Sequence, residues 1–335
     1  MTRKQESFQG DVDRDSARKI AADLRERMER EGFRVAIVSV DHLKELQEEL
    51  ETSHRRGIIA DRLYQVELTG FRFGPPPEMP GARSVMIVST PQPHIRMTFD
   101  WKGRTVATYI PPTYSAAIST RVGSMLEEIL NPAGYHLFRA WIPLKLTAVH
   151  SGLAQYGKNN ITFVDGMGSY HRFTGFFSEF PCSEDSWGKP QVMNQCEKCT
   201  SCRDKCPTGA IQSDRFVIRA ERCLTFLNEF GGDFPAWLDP AVHHCLVGCL
   251  FCQSFCPVNR KIPLAIDEGP AFDGAETELI LQGISKDKLP EATTRKLEEF
   301  GFQDTLPEIA RNLRALLDHP QNLTTAPRLL RRGKA

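Results

Sequence analysis

The chain has 335 residues, 41% hydrophobic and 25% charged, with 42 Lys and Arg balancing 42 Asp and Glu. That composition is ordinary for a globular protein and excludes the disordered and fibrous classes, while a zero formal charge argues against a broad electrostatic footprint for nucleic acid. No stretch approaches the ~20 apolar residues that span a bilayer, and the charged segment Met1–Arg30 has no apolar signal core, so a cytoplasmic location without membrane contact is expected.

A first helix is expected from Ser16, with Ile20, Leu24 and Met28 on one face and Gly32 as its stop. Val35–Val38 then gives a short β-branched strand within Arg34–Ser39, and a charged helix follows over about 41–52. Gly74-Pro75-Pro76-Pro77 and Pro80-Gly81 break the chain before a second buried strand, Ser84–Val88. Residues 115–130 read as a helix. Strands alternating with helical patterns make residues 1–190 one α/β domain. Around Asn194 the character changes: cysteines crowd in, and Pro207 and Pro257 each follow one directly. Residues 191–265 therefore read as a small domain held by metal more than by apolar burial. Residues 266–335 read as a helical tail with Leu306, Ile309, Leu313 and Leu316 in phase, fraying over Arg328–Ala335.

Ten cysteines in a reducing compartment point to metal binding rather than to disulfides. Cys196-x2-Cys199-x2-Cys202-x3-Cys206-Pro207 has the bacterial ferredoxin spacing, in which three close thiolates hold one [4Fe–4S] cube and the fourth turns to its neighbour. Cys249-x2-Cys252-x3-Cys256-Pro257 repeats the cadence one cysteine short. The expected assignment is crossed: Cys196, Cys199, Cys202 and Cys256 hold one cluster, and Cys206, Cys223, Cys249 and Cys252 hold the other. Cys245 rivals Cys223 for the last place. A structural zinc site would prefer two CxxC pairs across a long spacer. Cys182, outside the module, and Cys245 have the simpler reading of buried free thiols. His243 and His244 read as stacked or solvated, since eight cysteines already suffice.

A bare two-cluster module needs only about sixty residues, so the larger domain ahead of it should hold what the electrons feed. Ser151–Asn160 contains Gly152, Gly157, Lys158 and Asn159 just before a strand at Ile161–Val164, and Gly166–Tyr170 follows with Gly168 and Ser169. Glycines allow close approach to a ligand, and Lys158 with Asn159 suits phosphate or propionate groups. The competing reading is a pair of tight turns between strands. Neither stretch is a dinucleotide or P-loop fingerprint.

Pro80–Val85, Ser151-Gly152-Leu153 through Gly157-Lys158-Asn159, Gly168-Ser169, and the cysteine pattern with Arg222-Cys223 together resemble the epoxyqueuosine reductase and reductive dehalogenase superfamily of cobalamin-dependent enzymes. The resemblance implies an α+β protein: a nitroreductase-like α/β cobalamin-binding domain, a ferredoxin-like domain with two [4Fe–4S] clusters, and a short helical tail. It implies cofactor contacts at Gly157, Lys158, Asn159, Gly168 and Ser169, with an Arg-Cys segment giving the last cluster ligand. It also implies an oxidoreductase that takes electrons from an external low-potential donor of ferredoxin or flavodoxin type and passes them singly to a base-off cobalamin; flavin is the lesser alternative, since nitroreductase-like folds can hold it.

Two departures stand out. The family's proton-donating carboxylate lies in a Val-Asp-x-Gly-Pro segment, and the corresponding stretch, Leu137–Lys145, has no Asp or Glu. Tyr109, Tyr114, Lys145 and His150 are the replacement acids. The family's helical-repeat extension for tRNA has no counterpart in so short a tail, so a small molecule or modified nucleoside is the expected substrate, with tRNA not favoured. The alternative is a ferredoxin-type electron-transfer protein that reduces a partner's cofactor and has no corrinoid of its own.

Overall fold

The computed structural model describes residues 3–114 and 117–319, with side chains from residue 15 onward. The expected fraying of Arg328–Ala335 lies outside the described residues. Helix α1 (Arg3–Arg30) begins well before Ser16, which therefore sits inside the helix and does not cap it. Its buried stripe is Ala17, Ala21, Leu24 and Met28, at helical spacing. The stop at Gly32 holds: with φ +75°, Gly32 donates to the Glu29 carbonyl and Phe33 to that of Met28, which satisfies two end carbonyls in a Schellman turn.

Strands β1 (Arg34–Ser39), β2 (Ser84–Pro91), β8 (His171–Ser178) and β5 (Leu137–Arg139) form one sheet in the order β1-β2-β8-β5, antiparallel throughout. Strand β2 reads as an unbroken apolar run because both of its faces are covered. Met86 and Val88 pack with α1 and α4 (Ala117–Leu130), whereas Val85 and Ile87 pack with α2 (Leu43–Arg55) and α5 (Leu144–His150). Between α2 and β2, a short turn α3 (Asp61–Leu63) runs into a π-helical turn, Tyr64–Leu68.

Strands β3 (His94–Trp101) and β4 (Arg104–Ile110) form a hairpin whose two-residue loop, Lys102-Gly103, has positive φ at both positions, as a type I′ turn requires. Strands β6 (Gln155–Tyr156) and β7 (Thr162–Phe163) make a second, smaller hairpin. The cysteine-rich region carries three short helices, α6 (Ser201–Asp204), α7 (Leu224–Glu229) and α8 (Phe251–Ser254).

The segment expected to be a helical tail opens on a strand, β9 (Ile266–Phe272), which pairs in parallel with β3. Helices α9 (Gly274–Leu281), α10 (Glu291–Glu298) and α11 (Leu306–Asp318) then cover that sheet, and Leu306, Ile309, Leu313 and Leu316 join Ile95, Met97, Phe99 and Ile110 in one core. Helix α11 also ties down the cysteine region. Arg311 donates to the Leu227 carbonyl at 2.7 Å and the Phe230 carbonyl at 3.0 Å, and the buried Asn312 amide donates to the Asn228 and Leu246 carbonyls at 2.8 and 2.9 Å. Several of these are the carbonyls that the C-terminal end of α7 leaves without helical donors. Asn312→Ala strands two buried acceptors, so it should cost about 2–4 kcal/mol. Guanidinium unfolding should show a lower midpoint at unchanged slope; an unchanged midpoint would remove this clamp from the account.

Candidate functional site

Each cysteine run wraps a one-turn helix, α6 in the first and α8 in the second, and the two turns pack together. Two thiol groups result. Cys196, Cys199, Cys202 and Cys256 line one cavity together with Gly157, Lys158, Asn159, Phe163, Ser201 and Pro257. Burial pushes the Cys202 thiol up to about 11, with the negative charges of Cys196, Cys199 and Cys256 adding to the effect. The thiols of the second group are half-buried and, around Cys249 and Cys252, closely surrounded by protein. Burial raises the Cys252 thiol, with contributions from Cys223, Cys202 and Cys206; it also raises the Cys249 thiol, with contributions from Cys252, Cys223 and Cys245. Thiols at that depth stay protonated unless a cationic partner is present, which is the electrostatic setting of an iron–sulfur ligand. Among the described residues, no three His, Cys, Asp or Glu side chains converge closely enough to share a single metal ion. The thiols of the first group instead line one cavity.

Cys223 and Cys245 are placed differently. The neighbouring Arg222 donates from Nε to the Thr208 carbonyl at 2.8 Å, just beyond Cys206-Pro207, and its guanidinium covers Trp237. This brings Cys223 beside Cys206, whose charge adds to the burial that raises the Cys223 thiol. Cys245 is fully buried in a small apolar contact with Tyr109 and Leu250, and its residue bridges to Tyr109 on β4. Cys182 is half-buried near Ile37 and Glu184, away from both groups. His244 receives the Leu250 amide at Nε2 and donates from Nδ1 to the Val242 carbonyl, and burial pulls its pKa down to about 4, so it stays neutral. His243, expected to be stacked or solvated, is instead fully buried and lies tilted against Phe234, with ring centroids 4.4 Å apart.

Both glycine stretches are turns, and both face the cysteine region. Gly157 to Asn160 closes the β6–β7 hairpin, with Asn160 in the left-handed region at φ +59° and its amide bonded to the Gly157 carbonyl at 2.9 Å. Gly168 lies so close to the second cysteine run that a Cβ there would meet Asn259 Oδ1 at 2.6 Å. Ser169 donates to Gln253 Oε1 at 2.8 Å and accepts from Asn259 Nδ2 at 2.7 Å, which docks β8 onto the run around Cys252 and Cys256.

The four candidate acids separate. His150 is on the far side: its ring and that of His42 sandwich Trp187 at 4.6 and 4.3 Å, and its nitrogens pair with Glu49 and the Gly188 carbonyl. Tyr109 packs on Cys245. Lys145 and Tyr114 both lie within range of the Cys223 charge, on the cysteine-region side of the α/β layer. Lys145 reaches solvent yet is walled by protein; it donates to the Asn160 carbonyl at 3.0 Å, and burial lowers its pKa while the Cys223 charge opposes that. Tyr114 donates its hydroxyl to Glu229 Oε1. Burial, then the Glu229 charge, raises the Tyr114 pKa well above normal, with Cys245 and Cys223 also contributing. Glu229, at the end of α7, is likewise exposed yet hemmed in by protein, and that desolvation lifts its carboxyl to about 7 against the Tyr114 hydrogen bond. The only sequence signal for Glu229 was a carboxylate six residues beyond Cys223. Arg139, in the stretch that has no carboxylate, covers the Phe176 ring, and Trp141 is 63% exposed beside Phe71.

Residues 195–259 match the 4Fe-4S double cluster binding domain family. Epoxyqueuosine reductase from Vibrio cholerae serotype O1 is 31% identical over 147 residues, covering 43% of this chain and 38% of that protein. The chain thus spans well under half of that relative's length. The structure of epoxyqueuosine reductase from Streptococcus thermophilus superposes with a TM-score of 0.63 at 16% identity, over 94% of this chain and 86% of that one. The chain has the epoxyqueuosine reductase fold. A crystal structure of epoxyqueuosine reductase with a tRNA-Tyr epoxyqueuosine-modified stem loop gives a TM-score of 0.64 at 19% identity, over 93% of this chain and 84% of that one. The expected α+β architecture, with a double-cluster domain beside an α/β layer, accords with these matches. No described helix is long and apolar enough to cross a membrane.

Proposed function

We propose that the chain is a cytoplasmic iron–sulfur reductase that passes electrons through two [4Fe–4S] clusters to a base-off cobalamin, as the epoxyqueuosine reductases it resembles imply. The reading rests on one observation: Cys256 of the second run lines a single cavity with Cys196, Cys199 and Cys202 of the first. Crossed ligation of that kind holds two cubes side by side and makes a short electron path. Cys206, Cys223, Cys249 and Cys252 take the other cluster, with Cys223 preferred to Cys245 because Arg222 seats it beside Cys206. Lys145 and Tyr114 lie within reach of the Cys223 charge, and together with Glu229 they offer a cation, a phenol and a carboxyl to the amide fringe of a corrinoid beside that group.

When bound, the corrinoid supplies a strongly reducing cobalt centre. The chain's own part is to conduct electrons, exclude water and supply protons. Reduction of an epoxide to an alkene takes two electrons and two protons and releases one water. The electrons come from an external donor of ferredoxin or flavodoxin type. With the family's carboxylate absent from Leu137–Lys145, the Tyr114–Glu229 pair is the proton source this region offers.

A modified nucleoside or comparable small molecule is the substrate this reading favours. A tRNA-borne nucleoside is the second reading, favoured by the match to the stem-loop complex. Anaerobically reconstituted protein should carry about eight irons and, on addition of cobalamin, shift the corrinoid spectrum to the base-off form. Full iron loading with no corrinoid binding would instead establish the electron-transfer alternative. Turnover of the free nucleoside but not the stem loop, or the reverse, decides between the two substrates.

A further inference from the structure

The Gly157–Asn160 turn lines the cavity of the first cysteine group and comes close to Cys252 of the second. Lys158 extends over the first group and donates from Nζ to the Glu197 carbonyl at 2.7 Å, close enough for its charge to favour the Cys199 thiolate behind the larger effect of Ser201. Asn159 is buried, lines the cavity of the first group, and accepts the Ile161 amide on Oδ1 at 3.2 Å. That leaves its amide nitrogen free to donate, with its side chain close to Cys252 of the second group. Gly157 secures the arrangement: a Cβ there would meet Asn159 Oδ1 at 2.6 Å and the Phe163 ring at 2.7 Å. Lys145, bonded to the Asn160 carbonyl, supports the turn from below.

We propose that Lys158 and Asn159 tune the reduction potentials of the two clusters, Lys158 acting by its charge on the first and Asn159 by a hydrogen bond to the Cys252 sulfur of the second. Reduction adds a negative charge to a cube, so a nearby cation or an N–H donor on a ligating sulfur stabilises the reduced state and raises the potential. Asn159 stands between the groups and so bears on the relative potentials of donor and acceptor cube. The Gly-Lys-Asn turn is then an electron-path element contributed by the α/β layer, where the sequence suggested a phosphate or propionate site. This inference rests on the double-cluster reading above.

The experiment is an anaerobic redox titration of the reconstituted full chain, followed by electron paramagnetic resonance. At the potential where each wild-type cluster is half reduced, Lys158→Met should lower the reduced-to-oxidised ratio of the first cluster about threefold or more, and Lys158→Arg should restore it. Asn159→Leu should do the same to the second cluster. Lys158 is exposed and bonds only a carbonyl, so its variant tests the idea even where Asn159→Leu fails to load iron. Wild-type protein without two [4Fe–4S] signals overturns the double-cluster reading. Two intact signals with potentials unmoved in Lys158→Met overturn the tuning proposal alone.

Discussion

Cys223→Ser is expected to halve the iron content, from about eight to about four per chain, while Cys245→Ser leaves it unchanged. Both residues lie within reach of the second run, and the chain spacing alone does not separate them. What separates them is the local structure around each. Cys223 follows Arg222, whose bond to the Thr208 carbonyl fixes the backbone beside Cys206, and it borders both Cys249 and Cys252. Cys245 is enclosed by Tyr109 and Leu250. Crossed ligation makes the sharper claim. Cys256→Ser should damage the cluster held mainly by the first run, and Cys206→Ser the cluster held mainly by the second. The two losses should differ in their resonance signals, since Lys158 and Ser201 surround only the first group. If Cys256→Ser and Cys206→Ser each removed the cluster of their own run, the crossed arrangement would be wrong.

The cysteine module was legible because its chemistry is written in short spacing. Two thiols three residues apart around a single helical turn can reach one cube in almost any tertiary context, so the sequence places them without knowing the fold. The buried strands were legible for a similar reason, since Val85–Val88 is apolar on both faces. The tail was not. Its helices show a clear stripe at Leu306, Ile309, Leu313 and Leu316, but the stripe does not say which surface it covers. The partner is the β3–β4 hairpin some two hundred residues upstream, and β9, with three of its first four residues polar or glycine, carries no strong strand signal. Arg311 and Asn312 were invisible for the same reason, because the carbonyls they satisfy belong to α7.

The glycine stretches teach the opposite lesson. Gly157, Lys158, Asn159, Gly168 and Ser169 read from the sequence as cofactor contacts, and the structure gives Gly157 and Gly168 close neighbours that leave no room for a Cβ. Residue type alone does not identify the neighbour. A backbone approach to a phosphate and one to another domain leave the same mark on the sequence, and here Gly168 makes room for Asn259 and Gly157 for Asn159 and Phe163. His150 misled because a histidine before a glycine loop suggests chemistry, whereas this one is held by Trp187, Glu49 and a carbonyl.

Glu229→Gln should reduce turnover about 10²–10⁴-fold, the range for loss of a general acid, with cluster content and corrinoid binding retained. The argument begins with burial. A carboxyl near pH 7 gives up its proton most usefully when its pKa is close to 7, and enclosure lifts Glu229 to about that value. Tyr114 occupies Oε1, which leaves Oε2 to carry the proton. Two groups face it: Tyr114 from the segment after β4, whose hydrogen bond lowers the pKa, and Glu67 from the π-helical turn, whose charge raises it. Turnover should therefore fall as pH rises through about 7. Tyr114→Phe should move that limb to higher pH, since it removes the interaction that favours the carboxylate. Glu67→Gln should move it to lower pH. The same proton links to stability: a carboxyl whose folded pKa is raised gives a contribution present in full below its unfolded pKa and lost as pH rises through the folded one. Infrared spectra of the cluster-loaded protein without corrinoid provide a readout independent of turnover. A protonated-carboxyl band that titrates near pH 7 in the wild type should be missing in Glu229→Gln. A band unaffected by that substitution, or a pH profile indifferent to Tyr114→Phe and Glu67→Gln, would move the acid to another residue.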